Sequence, residues 1–402
     1  MKEFSAGEYV YLDWAATAPL CEEAARAMEP YLAPGRANVA AGANANSLHS
    51  PGRAAFAALE GARRSIAADL HASRASEIVF TSGATEADNA ALLGLARAAL
   101  EARRRAGRPA RSPQVVTTAI EHEAVLAPAR ALEREGFRVR RLAPDAQGFV
   151  DPRALEDALD GDTVLVSVQM ANGEVGSVQP VAELARAAHA VGALFHTDAT
   201  QALGKMDIDL QALGVDAASF SAHKVGGPKG VGVLYLRART PFDPLLLGGG
   251  QEGGRRSGTQ NVCGAVGFAA ACHAACADAA QEAERLRGLR DFLYARLAGE
   301  ARVRATVDVG RGSADFLPNI VHVLVDGLES QTLAVRFDEL GFGVSGGSAC
   351  SSSDLDPSHV VRALGVPRER ALGALRVSMG RLTTERDAQA FAKAMETVLD
   401  WR

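Results

Sequence analysis

The sequence predicts an α/β protein: a large domain on a mainly parallel, seven-stranded sheet flanked by helices, plus a smaller α/β C-terminal domain. Three observations carry this expectation. Short apolar runs alternate with helical patterns between residues 77 and 236, as in strands joined by helical crossovers. Beyond Gly258 the alternation gives way to a long helical stretch and a second set of strands and helices. The chain has 402 residues, 48% of them apolar, which suffices for more than one core.

The elements follow in chain order. Residues 9–14 (Tyr-Val-Tyr-Leu-Asp-Trp) read as a short strand, followed by Ala-Ala-Thr-Ala-Pro and a helix near 21–32. A Gly/Asn/Ser-rich loop from Pro34 to Gly52 precedes a helix over 52–70, and loops of that length tend to carry function or disorder. Strands are expected at 77–81, 114–119, 137–142, 163–168, 193–197, 216–220 and 231–236, and helices at 84–106, 123–135, 152–159 and 180–191. A long helix is expected over 262–299, then strand 319–325, helix 329–340, helices near 357–373, strand 374–379 and a closing helix at 383–401. The large domain is assigned residues 15–260, and the small one residues 1–14 with 261–402.

Composition narrows the function. A formal net charge of −5 argues against nucleic acid as the main ligand. The one basic run, Arg103 to Arg111, has no interleaved aromatics and contains Gly and Pro, so it reads as a solvated loop. The N-terminus lacks the apolar core of a signal peptide. The longest uncharged run, Ser257 to Ala277, is Ala- and Gly-rich and reads as a buried helix rather than a membrane span. Five irregularly placed cysteines suit a reducing cytoplasm. Cys272, His273 and Cys276 lack a second ligand pair, so they read as small core residues, with no metal expected.

The chain has five lysines against 38 arginines, and one of the five, Lys224, follows an apolar strand directly. Where an amine must lose its proton, as in Schiff-base chemistry, lysine is the residue of choice; a surface lysine at a strand end is the other reading. Lys229, past the proline, is a neighbour to be told apart from it. The run Glu77-Ile-Val-Phe-Thr-Ser-Gly-Ala-Thr-Glu is a strand, a small-residue turn and a helix start, apt for a phosphate. Asp198 ends the apolar run Leu194-Phe-His-Thr, where a carboxylate needs a cationic partner, either a protonated pyridine or an arginine. The Gly248–Thr259 loop offers Arg256, Ser257 and Thr259 to an anion. A phosphate cradle, a strand-end Asp and a strand-end His-Lys, with 26 residues from Asp198 to Lys224, match what pyridoxal phosphate requires.

At this point the chain resembles a known family: the class V aminotransferase fold, and within it the cysteine desulfurases of the NifS/IscS type. The motifs that carry the resemblance are Thr81-Ser-Gly-Ala-Thr-Glu, Glu121-His-Glu-Ala-Val, Asp198-Ala-Thr-Gln, Ser221-Ala-His-Lys, Arg256-Ser-Gly-Thr and Gly347-Ser-Ala-Cys. They span from Tyr11-Leu-Asp-Trp-Ala-Ala-Thr-Ala-Pro to Arg376-Val-Ser-Met-Gly-Arg. The resemblance implies a pyridoxal-phosphate transferase fold of type I, with the cofactor in the large domain and a catalytic cysteine loop in the small one.

It also implies roles. Lys224 holds the cofactor and shuttles the Cα proton; Asp198 pairs with the pyridine nitrogen; Gln201 reaches the ring hydroxyl; His122 stacks on the ring and joins in proton transfer. Ala84, Thr85, Ser221 and His223 bind the phosphate, with Thr259 from the other subunit of a homodimer. Arg376 holds the substrate carboxylate as a bidentate fork. Cys350 attacks the sulfur of L-cysteine, leaving an enzyme persulfide and releasing alanine.

The Cys350 loop, Gly346-Gly-Ser-Ala-Cys-Ser-Ser-Ser-Asp, is small and polar, the profile of an exposed segment. A free thiol of pKa about 8.5 is only a few per cent thiolate at neutral pH, so the loop needs a base or a positive field. Two features depart from the family pattern. Asn172-Gly173-Glu174 stands where Asn-Asn-Glu is usual, so the ring-hydroxyl contact falls to Asn172 or Gln201 or is absent. The sequence also ends at Trp401-Arg402, soon after its last expected helix, so the scaffold contact made by the C-terminal tail of the housekeeping relatives is not expected here and the sulfur acceptor stays open. The expected function is a cytoplasmic cysteine desulfurase serving an acceptor such as an iron–sulfur scaffold. A selenocysteine lyase or other class V lyase, and a non-catalytic cofactor-binding adaptor, are the alternatives.

Overall fold

The computed structural model describes residues 9–39, 41–108, 110–346 and 356–400. Twelve strands are described: β1 Val10–Tyr11, β2 Ile78–Thr81, β3 Gln114–Thr118, β4 Arg138–Leu142, β5 Thr163–Ser167, β6 Leu194–Asp198, β7 Ala217–Ser221, β8 Gly232–Leu236, β9 Val303–Ala305, β10 Ile320–Val325, β11 Phe342–Gly343 and β12 Ala374–Ser378. Seven of them form one sheet in the order β2-β8-β7-β6-β5-β3-β4. Only β8 runs against its neighbours, so the expected mainly parallel seven-stranded sheet is observed.

The sheet is covered on both faces, which is why its inner strands are buried almost throughout. Helices Ala84–Arg105 and Glu123–Arg134 close one face through Leu92, Leu95, Val125 and Leu132. Helices Ser50–Asp69, Val181–Ala190 and Val262–Ala277 close the other through Leu59, Ile66, Leu184 and Phe268. The edge strand β4 is the exception in composition: Arg138, Arg140 and Arg141 are exposed on it. Charged residues on an edge discourage pairing with another sheet.

A second core forms over the antiparallel sheet β12-β10-β9, where Leu293, Val321, Phe337, Leu375, Phe391 and Met395 meet. Phe337 and Phe391 stack with centroids 4.8 Å apart. The N-terminal strand joins this region, since β1 pairs with β11 and Asp13 bridges to Ser378.

Two expectations are corrected. The stretch 262–299 is not one helix: it breaks at Asp278 into Val262–Ala277 and Ala279–Leu297, bent by 70°. The reason is packing, because Phe268 and Cys272 lie in the first core while Leu286 and Leu293 lie in the second. The strand expected over 9–14 pairs as a ladder only at Val10–Tyr11. No single described helix is long and apolar enough to cross a membrane.

Candidate active site

The carboxyl ends of β2, β3, β5, β6 and β7 open onto one cleft of about 910 Å³. This is where open α/β sheets place ligands. It is lined by Ala84, Thr85, His122, Asp198, Gln201, Ser221, His223, Lys224 and Arg376, so nine of the expected site residues converge. Thr259 does not join them; it is exposed on the glycine-rich loop. Cys350 lies outside the described residues. The described residues just beyond it, Asp356 to Val360, line the cleft, and Ser345 before it bridges to Arg376.

Lys224 sits in the turn between β7 and β8, where Ala222–Lys224 forms a short 3₁₀ turn. Its Nζ donates to Ala15 O at 2.6 Å and to Ala16 O at 2.8 Å. At the start of β8, Gly232, opposite Ser221, lets the Gly83 turn pack directly on the strand ends; a Cβ there would lie 2.6 Å from Gly83 Cα and from Phe220 O. Lys229 also lines the cleft but is exposed.

Asp198 ends β6 and is 9% exposed; its Oδ1 accepts from Thr200 N at 2.9 Å. Gln201, three residues on, donates from Nε2 to Ala15 O at 3.0 Å, while its buried Oε1 has no partner. Asn172 is committed elsewhere: its side chain donates to Ile120 O and accepts from Glu174 N and Val175 N. Of the two candidates for the ring-hydroxyl contact, only Gln201 therefore keeps an open acceptor. A Cβ on Gly173 would lie 3.0 Å from Gln201 Nε2, so Gly173 leaves the space that Gln201 occupies.

His122 caps the helix Glu123–Arg134, accepting from Ala124 N at Nδ1 (3.1 Å). That fixes the proton of the neutral ring on Nε2. His223 Nδ1 lies 3.1 Å from Thr17 Oγ1. Burial, with Lys224, Lys229 and Lys205 nearby, pushes its pKa down to about 4, so the ring is neutral at physiological pH. Ala84 and Thr85 open the helix Ala84–Arg105, whose N-cap Gly83 supplies no side-chain cap. Gly83 takes a φ of 155°, and its Cβ position is 3.9 Å from Ser221 Oγ. The open helix end and the end of β7 thus face each other across a small gap.

Arg376 on β12 is 3% exposed. Nη1 donates to Gly173 O at 2.9 Å and Nη2 pairs with Asp13 Oδ1 at 2.8 Å. Sequence reasoning missed Asp13 as a partner. Its position at the end of an apolar run, the same signal that exposed Asp198, marks it. Beneath the cleft lie two further buried carboxyls, Asp88 and Glu121. Glu121 accepts from Thr118 Oγ1 at 2.7 Å and from Gln169 N at 3.0 Å. Burial first, and the Asp198 charge with it, raises Glu121 to about 8 and lifts Asp88 well above the usual carboxylate range. Ser358 Oγ donates to Glu174 Oε2 at 2.5 Å, and His359 Nε2 lies 2.9 Å from Glu121 O, tying residues 358 and 359 to the cleft wall.

Chemically the cleft combines an amine, a buried carboxylate, a neutral imidazole and a guanidinium around an open helix end. That set suits carbonyl and pyridine chemistry on an amino acid. The family described as Aminotransferase class-V matches residues 10–391. The chain is 40% identical over 391 residues to "Cysteine desulfurase IscS" of Dictyoglomus turgidum, covering 97% of this chain and 94% of that protein. Among solved structures it is similar to a "NifS-like protein" (TM-score 0.86, 36% identity, 97% of this chain and 99% of that one). It is also similar to "SspA in complex with cysteine" (TM-score 0.77, 32% identity, 92% and 98%). Enzymes of this family depend in general on pyridoxal phosphate. The chain belongs to the class-V aminotransferase family, in its cysteine desulfurase branch.

Proposed function

We propose that this protein is a pyridoxal-phosphate-dependent cysteine desulfurase. It takes sulfur from L-cysteine, releases L-alanine and holds the sulfur as a persulfide on Cys350 for an acceptor in iron–sulfur cluster assembly. The observation that supports this most is the convergence of Lys224, Asp198, His122 and Arg376 on one cleft at the strand ends. The residues fit the cofactor: Asp198 offers a carboxylate to a pyridinium, Gln201 a buried unpartnered acceptor to a ring hydroxyl, and the uncapped helix end at Gly83 its N–H groups to a phosphate.

When bound, pyridoxal phosphate supplies an electron sink that weakens bonds at the amino acid's Cα and Cβ. The protein does the rest. Arg376 has one free hydrogen on each Nη after Gly173 O and Asp13 are served, a pair suited to the two oxygens of a carboxylate. Lys224 moves the proton at Cα; in its charged form it is held by the Ala15 and Ala16 carbonyls. Asp198 keeps a proton on the ring nitrogen. His122, held at Nδ1 by Ala124 N, would stack on the ring and join in proton transfer. The Cys350 thiolate attacks the substrate sulfur, the C–S bond breaks, and Cβ takes a proton to become the methyl group of alanine. Cysteine and thiol go in; alanine and persulfide come out, in balance.

The reading includes a homodimer, supported by Thr259 standing exposed and away from its own chain's cleft. It also includes a reducing, cytoplasmic setting, in which the Cys350 thiol stays available. The test is turnover: purified protein with pyridoxal phosphate, L-cysteine and a reductant should yield sulfide and alanine in equal amounts. Neither product above the protein-free control would refute the proposal.

A further inference from the structure

Arg376 uses Nη1 and Nη2 on Gly173 O and Asp13, but its Nε is buried without a hydrogen-bond partner. Directly across the β10–β12 ladder stands His322, in register with Arg376. Side chains directly opposed on an antiparallel pair share a face, with Cβ atoms about 4.5–5.5 Å apart. His322 is fully buried, its Nδ1 lies 2.7 Å from Thr306 Oγ1, and its Nε2 likewise has no partner. Burial and the Arg376 charge push this imidazole down to about 3, so it is neutral at physiological pH. The Thr306 hydroxyl can donate or accept; in the tautomer whose Nδ1–H donates to it, Nε2 is an acceptor. In that tautomer a buried donor without an acceptor and a buried acceptor without a donor occupy paired positions. Each such orphan is unfavourable until it is joined.

We propose that His322 is a positioning residue for Arg376: its Nε2 accepts the Nε–H as substrate enters, turning the Nη edge of the guanidinium toward the amino-acid carboxylate. Thr306 Oγ1 accepts the Nδ1–H of the tautomer that makes this possible. The inference rests on the reading of Arg376 as the carboxylate receptor.

The test uses the cofactor-loaded enzyme with His322→Leu, His322→Gln, Thr306→Val and Arg376→Gln. It reads kcat and KM for L-cysteine, and L-alanine affinity by calorimetry. His322→Leu should raise KM and weaken L-alanine about tenfold with kcat within about threefold, the scale of one hydrogen bond to a charged group. His322→Gln, whose amide oxygen reaches about as far as Nε2, should bring KM back to within about threefold of wild type. An unchanged KM in His322→Leu, or a fall in kcat that glutamine does not rescue, overturns the proposal. Thr306→Val removes the acceptor for Nδ1–H and should raise KM about threefold, so it decides the matter if His322→Leu does not fold. An unchanged KM there would then overturn the proposal. If Arg376→Gln also leaves KM unchanged, the carboxylate reading itself fails. If Arg376→Gln raises KM and His322→Leu does not, only the role of His322 fails.

Discussion

Lys224 and Gln201 share one acceptor: the Ala15 carbonyl oxygen lies 2.6 Å from Lys224 Nζ and 3.0 Å from Gln201 Nε2. A backbone carbonyl from the N-terminal segment thereby positions the amine and the amide together. Lys229 has no such place, being exposed at the rim of the cleft. Lys224→Ala should abolish the covalent cofactor's absorbance band, whereas Lys229→Ala should keep it. The opposite result in a spectral titration would move the cofactor linkage to Lys229.

Gly173 sets where Gln201 can lie. An asparagine there puts its Cβ 3.0 Å from Gln201 Nε2 and 3.1 Å from Cγ, so Gln201 must shift by a few tenths of an ångström, which disturbs its bond to Ala15 O. Gly173→Asn should shift the pH at which the bound cofactor's absorbance titrates. A superimposable titration would show that Gln201 has no part in setting it.

Much of this site was legible because parallel strands end where chemistry begins, and apolar runs reveal strand ends. Asp198, Lys224 and the Thr81–Glu86 turn each stand directly after such a run. The bend at Asp278 was not legible, since the alanine-rich pattern continues across it and only the two separate cores impose it. The Ala15 carbonyl was invisible because a backbone acceptor has no sequence signature. Asp13 and Arg376 are 363 residues apart, and no local pattern joins them. Glu121 belongs to the motif Glu121-His-Glu-Ala-Val, but its full burial depends on the later Gln169 segment folding over it.

That burial gives a pH signature. Glu121 rises from 4.5 to about 8 on folding, so the folded protein holds an extra proton between those values. Its stability contribution is full below the unfolded pKa and is lost as pH rises through about 8. The difference in unfolding free energy between wild type and Glu121→Gln apoprotein should therefore shift against wild type from pH 5 to about 8, then level off. A difference that stays flat across that range in urea denaturation contradicts a neutral Glu121.

The glycine-rich loop is anchored by a buried ion pair. Arg63 Nη1 meets Glu252 Oε2 at 2.6 Å and Nη2 meets Oε1 at 2.9 Å, while Phe80 N donates to Oε2 at 3.0 Å. Glu252 holds this place despite a φ of 53°. Glu252→Ala strands the Arg63 charge and should cost about 3–5 kcal/mol of stability, measured by chemical denaturation. A loss of less than about 1 kcal/mol, the scale of a surface pair, would show that the pair does not anchor the loop.

Sulfur abstraction by Cys350 is read out by mass spectrometry after a single turnover. Cofactor-loaded enzyme mixed with L-cysteine in the absence of reductant should gain one sulfur atom on Cys350 for each alanine formed. Cys350→Ser should still bind cofactor and L-cysteine but form almost no alanine and carry no added sulfur. Full alanine formation by Cys350→Ser would rule out the persulfide route and make the protein a lyase that needs no thiol.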